Sequence, residues 1–219
     1  AAENDQIFDG AIRQAGTLRA QNLEEFFDMA KAFEFLQSIE GNRLFIIALS
    51  GGEGVMTTDA CEAHGFKLAH LTESSLQTLE TILPPWEIGM NPFDAGVCMQ
   101  FHLKDFQTFF NSLSTIPKDE NVDATLMQMP PPIFDTTLMT SKIAIENAEY
   151  LRKQYIEWLR NIKKTGKPVA LWKTSMSASE IELAENIEAL KIPVFESSER
   201  AIRALSALYK FNSRKEVKN

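Results

Sequence analysis

The chain has 219 residues, 44% of them hydrophobic, and a formal net charge of −8. That apolar content suffices for one sizeable core with or without an appendage. The acidic balance argues against nucleic acid as a partner, since neutralising phosphates needs clustered Lys and Arg.

The basic groups at Lys163-Lys164, Lys167 and Arg214-Lys215 read as solvated surface. The longest apolar run, Leu44 to Leu49, is far short of the ~20 residues that a membrane span needs. Cys61 and Cys98 have neither metal-ligand nor redox spacing, and two free thiols fit a reducing, cytoplasmic setting. No metal site is expected. The chain opens without an initiator methionine, in a polar pattern and with no visible secretory signal, and is read as a fragment.

Residues Asp9 to Gln37 carry apolar groups at helical spacing, among them Ile12, Leu23, Phe26, Phe27, Ala30, Phe33 and Leu36. Gln21-Asn22 offers an N-cap before the early carboxylates Glu24 and Glu25. Leu44 to Leu49 then reads as a buried strand, because it is short, wholly apolar and bounded by turn signals. It breaks into Ser50-Gly51-Gly52-Glu53-Gly54, followed by a helical pattern through Ala60 and Cys61 to Gly65. Three glycines in four positions permit a sharp turn, and a helix opening there aims unpaired amides and its dipole at the turn. Strand, glycine turn and helix make either a phosphate or carboxylate cradle or a plain tight turn. The spacing is neither a Walker A motif nor a strict G-x-G-x-x-G.

Phe66 to Leu71 reads as a second strand. Thr72 to Ser75 cap a short helix over Leu76 to Leu83, which Pro84-Pro85 ends. Trp86 to Gln100, with Asn91-Pro92-Phe93-Asp94-Ala95-Gly96, is a loop by composition. Phe101 to Leu113 has helical periodicity, and Val122 to Met129 is a strand cut by Pro130-Pro131-Pro132. A long helical region over about 135 to 164 has a candidate break near Asn147. Strand Val169 to Trp172, helix Ser177 to Leu190, strand Pro193 to Phe195 and a helix from Ser197 to Phe211 complete the pattern.

Five strands alternating with helices predict an α/β fold: a flavodoxin-like, doubly wound, five-stranded parallel sheet of order 2-1-3-4-5, with an N-terminal helical appendage. Residues 1–40 are expected to be a helical segment or linker from the end of a preceding domain, 41–212 the flavodoxin-like domain and 213–219 a polar tail. Ligands of such sheets sit at the carboxyl edge.

None of the three histidines lies in a signature; His64, His70 and His102 read as surface or structural residues. Ser50 is not in a G-x-S-x-G elbow, so hydrolase chemistry is not indicated. Asp59 reads as helix surface. Asp94, on a Gly/Pro loop at the carboxyl edge, is either a carboxylate that orients a ligand or a histidine, or an Asx-type cap.

Several segments, taken in order, resemble one family. Asn4 to Met29 (NDQIFDGAIRQAGTLRAQNLEEFFDM) resembles the stretch that follows the phosphohistidine loop in nucleoside-diphosphate-forming acyl-CoA synthetases. Gly41 to Gly65 resembles that family's next strand, its Gly-Gly-Pro-Gly-Val loop and its Thr-Asp-Ala-Cys-Glu helix. Leu83-Pro84-Pro85, Asn91-Pro92-Phe93-Asp94 and Glu199 to Leu205 match further segments. The resemblance spans nearly the whole chain and implies a succinyl-CoA-synthetase-like flavodoxin domain.

The resemblance implies a ligase that joins an acid to CoA through an acyl phosphate and a phosphohistidine, with ATP (or GTP), CoA and Mg bound by the parent and no cofactor by this part. It implies partnership with CoA-binding and ATP-grasp domains or subunits, and leaves room for a homo-oligomer. Either the amides around Ser50, Gly51, Gly52 and Gly54 or those after Pro131-Pro132 would face the phosphate, with Asn91, Asp94, Pro131 and Pro132 as supporting residues of the glycine turn. No catalytic residue is expected within this fragment, which alone should not complete the reaction. Two features depart from the pattern. Glu53 stands where the family often has Pro, and Pro130-Pro131-Pro132 replaces glycines. A non-catalytic regulatory or assembly module, such as a degenerate synthetase domain fused to an acetyltransferase, is therefore the second expectation. An FMN-binding flavodoxin is the third.

Overall fold

A computed structural model describes residues 3–102, 105–130 and 139–216. Helices α1 (Glu3–Gln14) and α2 (Leu23–Phe35) precede strand β1 (Arg43–Ala48) and helix α3 (Gly51–Ala63). Strand β2 (Lys67–Leu68), helix α4 (Glu73–Glu80), strand β3 (Phe93–Asp94) and helices α5 (Ala95–Met99) and α6 (Phe106–Leu113) follow. The remainder is β4 (Ala124–Gln128), α7 (Lys142–Lys163), β5 (Val169–Trp172), α8 (Ala178–Glu188), β6 (Val194–Phe195) and α9 (Ser198–Glu216).

The strands form one parallel sheet of order β2-β1-β4-β5-β6. This is the expected 2-1-3-4-5 order with one short strand added, since β3 pairs with β1 as well. In β1 only Arg43 is not buried, and all four residues of β5 are buried. Continuous burial without alternation is what helices on both faces of a parallel sheet impose. One face packs Leu44, Ile46, Leu126, Trp172 and Phe195 under α2, α3 and α9, with Cys61 among them. The other packs Phe45, Ile47, Met127, Leu171 and Val194 under α4 to α8, with Cys98 among them.

Four local outcomes differ from the sequence reading. The second strand is two residues long rather than six, because the Asn91 side chain takes over its pairing. Asn91 Nδ2 donates to the Leu44 and Ala69 carbonyls, both at 3.0 Å, and its Oδ1 accepts the Ile46 N–H at 3.0 Å. Beyond that amide, β3 occupies the rest of the β1 edge, pairing Ile47 with Phe93 and Ala48 with Asp94. The stretch read as loop thus supplies a strand and, with α5, a short helix. The expected helix from Phe101 begins instead at Phe106, where Asp105 Oδ1 accepts the Thr108 N–H at 3.1 Å. Helix α7 runs unbroken through Asn147.

Asn22 is the α2 N-cap, accepting the Glu25 N–H at 2.8 Å. Helix α2 is fastened by side chains as well as by Ala32 and Leu36 in the core. Arg200 grips the buried Asp28 through Nε and Nη2, each at 2.8 Å, and Lys31 Nζ reaches Glu188 at 2.6 Å. At the amino edge of the sheet, Arg43 holds Asp123 through Nε at 3.0 Å and Nη2 at 2.8 Å. Burial alone would raise the Asp123 carboxyl, but the hydrogen bonds and charge of Arg43 outweigh it and hold the group below the usual carboxylate range. Among the described residues no helix is long and apolar enough to cross a membrane.

Candidate functional site at the carboxyl edge of the sheet

Parallel strands deliver the helices that follow them to one edge, and α3, α5, α8 and α9 all open there. The turn between β1 and α3 is built by Ser50. Its backbone is extended (φ −155°, ψ 149°), its Oγ accepts the Glu53 N–H at 3.3 Å and its carbonyl accepts the Gly54 N–H at 3.1 Å. Ser50 thereby caps α3 and uses two of the first-turn amides. The N–H groups of Gly51 and Gly52, both exposed, remain at the edge with no hydrogen-bond partner among the described residues.

Gly54 is buried where α3 passes Pro92: a β carbon at Gly54 would come within 3.1 Å of the proline ring. Gly96 is tighter, since a β carbon there would lie 2.1 Å from the Leu49 carbonyl oxygen. These two approaches clamp the glycine turn between β1 and the start of α5. Asp94 sits beside it. Its Oδ1 caps α5 by accepting the Val97 N–H at 3.1 Å, and its Oδ2 lies 3.7 Å from where a Gly51 β carbon would be. The Asx-type cap is therefore present, and the second carboxylate oxygen still flanks the turn.

Of the expected site residues, Ser50, Gly51, Gly52, Gly54 and Asp94 converge on this edge. The side chain of Asn91 is spent on the backbone of β1 and of Ala69, so it braces the strand that leads to the turn. Pro131 and Pro132 lie outside the described residues.

Three neighbours escaped the sequence reading. Gln128 ends β4, and its Oε1 accepts the Leu49 N–H at 2.7 Å, fixing the residue before the turn. A polar residue closing an apolar strand at its carboxyl end was the available signal. Behind it lies an apolar cavity of about 50 Å³ lined by Leu49, Met99, Phe110, Gln128 and Trp158 among others, too small to enclose a nucleotide or flavin ring. The second is Trp172, at the end of β5, whose buried indole Nε1 donates to Glu53 Oε2 at 3.3 Å. The third is Glu180 at α8. It is buried, accepting the Thr174 N–H at 2.8 Å and the Ser175 hydroxyl, while Ser177 Oγ accepts its own N–H at 3.3 Å. A protein carboxylate thus already occupies the α8 end of the edge, whereas no carboxylate among the described residues accepts from the Gly51 and Gly52 amides at the α3 turn.

Electrostatically the edge is mixed. Lys173 is nearly buried and paired with Glu196 at 3.0 Å, so its charge is already engaged. The attraction for an anion at α3 rests on backbone amides and the helix dipole.

No protein-family model matches the chain. Individual relatives do. The chain is 29% identical over 216 residues to the ADP-forming 4-hydroxybutyrate–CoA ligase of Nitrosopumilus maritimus, covering 95% of this chain and 27% of that one. It is 30% identical over 206 residues to the alpha subunit of ADP-forming acetate–CoA ligase II of Pyrococcus furiosus, covering 93% and 41%. The apo structure of the dinucleotide-forming acetyl-coenzyme A synthetase 1 of Ca. Korarchaeum cryptofilum superposes with a TM-score of 0.71 at 25% identity, over 96% of this chain and 42% of that one. The same enzyme is known in complex with phosphate and ADP, with a TM-score of 0.69. The chain therefore spans less than half the length of the relatives it matches. Its relatives are ADP-forming acyl-CoA ligases and their alpha subunits, and the likeness extends over nearly all of its residues.

Proposed function

We propose that this chain is the flavodoxin-like part of an ADP-forming acid–CoA ligase, and that its Ser50–Gly54 turn receives the phosphoryl group of a phosphohistidine carried by another segment or subunit. The observation that carries this reading is the pair of amides, Gly51 and Gly52, at the N-terminus of α3 on the carboxyl edge, which have no partner among the described residues. Amides aimed at a phosphoryl group stabilise its charge without reorganising, which is how preorganised donors lower a barrier. Asp94 flanks the same turn and is suited to accept the free N–H of an incoming imidazole, which fixes the ring and offsets its charge. Substrate acid, CoA, ATP (or GTP) and Mg would be bound by the CoA-binding and ATP-grasp parts of the enzyme, and this part alone completes no turnover.

Glu53 and Pro130-Pro131-Pro132, where the resembling family has Pro and glycines, favour a second reading: a non-catalytic regulatory or assembly module. The two readings separate on one variant of the complete ligase. Gly51→Pro removes a single amide at the first helical position, where Pro is tolerated, after a Ser50 that is already extended as a residue before proline must be. Phosphoenzyme formation from ATP is expected to fall at least tenfold, in line with the loss of one charge-stabilising donor, while the melting temperature holds. Unchanged phosphoenzyme formation, or none in the unmodified protein, would leave the module reading in place.

A further inference from the structure

Ser50-Gly51-Gly52-Glu53 and Ser177-Ala178-Ser179-Glu180 are two copies of one helix-start pattern, serine followed three residues later by glutamate. In that pattern the glutamate ordinarily folds back over the helix N-terminus. Glu180 does so. Its carboxylate turns into the loop before α8 and takes the Thr174 N–H and the Ser175 hydroxyl. Glu53 does not, and Trp172 is the reason. The indole Nε1 draws the Glu53 carboxylate sideways to 3.3 Å, onto the face of the sheet covered by α3 and α9.

The sheet order fixes how far apart this leaves the groups. Asp94 is on β3, on one side of β1, and Trp172 is on β5, two strands away on the other side. Adjacent strands lie roughly 4.8 Å apart, so the β5 backbone that carries the indole stands about 10 Å across the edge from β1. Asp94 thus flanks Gly51 from the β3 side, with Oδ2 3.7 Å from where a Gly51 β carbon would be, while the Glu53 carboxylate is held by a residue of β5. Were Glu53 to fold back as Glu180 does, its charge would occupy the space in front of those amides and repel any phosphoryl group there.

We infer that Trp172 is a positioning residue for the phosphate turn: by hydrogen-bonding Glu53 it keeps that carboxylate off the N-terminus of α3 and leaves Gly51 and Gly52 free for an anion. This rests on the reading of the turn as a phosphoryl cradle. The indole touches neither phosphate nor histidine and acts only through Glu53. Position 53 can therefore carry a carboxylate in a phosphate-facing turn provided that residue 172 carries an indole.

The experiment is a titration of the 219-residue chain with inorganic phosphate, read at the amide resonances of Gly51 and Gly52 and at the three tryptophan indole N–H resonances. Saturable shifts of both glycine amides are expected in the unmodified chain. Trp172→Phe, which keeps an aromatic ring and loses the donor, should weaken phosphate at least about fivefold, and Trp172→Phe with Glu53→Gln should restore it to within about twofold. That rescue is not expected of a role in packing alone. If Trp172→Phe fails to fold, Glu53→Gln decides: a carboxylate already held aside predicts less than about a threefold gain on neutralisation, and roughly a tenfold gain would mean that it faces the anion. No saturable shift in the unmodified chain would remove the cradle and the inference together. Saturable shifts with Trp172→Phe indistinguishable from the unmodified chain would leave the cradle standing and overturn the role of Trp172.

Discussion

Gly52 and Gly96 show why the glycines of this edge are not equivalent. A β carbon at Gly52 meets none of the described residues within 4 Å, whereas one at Gly96 would sit 2.1 Å from the Leu49 carbonyl oxygen, a backbone atom that cannot move aside without shifting β1 or α5. Gly52→Ala is expected to be neutral or to stabilise by up to about 1 kcal/mol, since it removes freedom from the unfolded chain. Gly96→Ala is expected to cost about 3 kcal/mol, the upper range for forcing atoms into a packed site, and to move Asp94 away from Gly51. Urea denaturation of the two variants checks both signs, and equal effects would contradict the geometry. Glu53 carries a related lesson. From the sequence its charge is visible, but its direction depends on an indole 119 residues away, and no local pattern encodes that distance.

At the scale of elements, α2 is held to the body by charge as much as by apolar packing. Asp28 is 5% exposed and accepts from Nε and Nη2 of Arg200, so removing it leaves that half-buried cation only the exposed Glu24 carboxylate at 3.3 Å. Asp28→Ala is expected to lower stability by about 3 kcal/mol, the cost of breaking a largely buried pair, with α2 released before the sheet. Thermal melting, with hydrogen exchange resolved along Leu23–Phe35, tests this; exchange that rises uniformly over the chain would contradict a local release. The elements themselves were largely legible. Buried strands announce themselves as short apolar runs, and Asn22, Ser50 and Ser177 are caps of the kind that local chemistry selects. What was not legible came from contacts between distant segments. The two-residue β3 exists because Asn91 replaces a strand with one amide, and Gln128 secures Leu49 across 79 residues. The convergence of Ser50, Gly51, Gly52, Gly54 and Asp94 could be anticipated because a doubly wound sheet sends every strand end to one edge. The neighbours that tune the turn could not, because they arrive from β4 and β5.

On the scale of the whole molecule, the sheet divides the interior into two layers that share no side chains, and each layer seals one thiol: Cys61 beneath α2 and α9, Cys98 beneath the α4–α8 side. Burial pushes both thiols up to about 12, with the charge of Asp94 adding to the effect at Cys98, so neither presents a thiolate near neutral pH. Alkylation of the native protein should therefore proceed only through opening of the layer concerned, at a rate set by the population of the open form when reclosing is fast. The two cysteines become a pair of clocks, one for each side of the sheet. Helix α2 buries Ala32 in the Cys61 layer, where the Asp28–Arg200 clamp holds it, and reaches the α7 and α8 side only through surface contacts such as Lys31–Glu188 and Lys163–Phe35. Mass spectrometry of alkylated peptides should then show Asp28→Ala speeding modification of Cys61 more than that of Cys98. Identical acceleration of both would mean that the two layers open as one cooperative unit, and that the sheet transmits the loss of a surface helix to its opposite face.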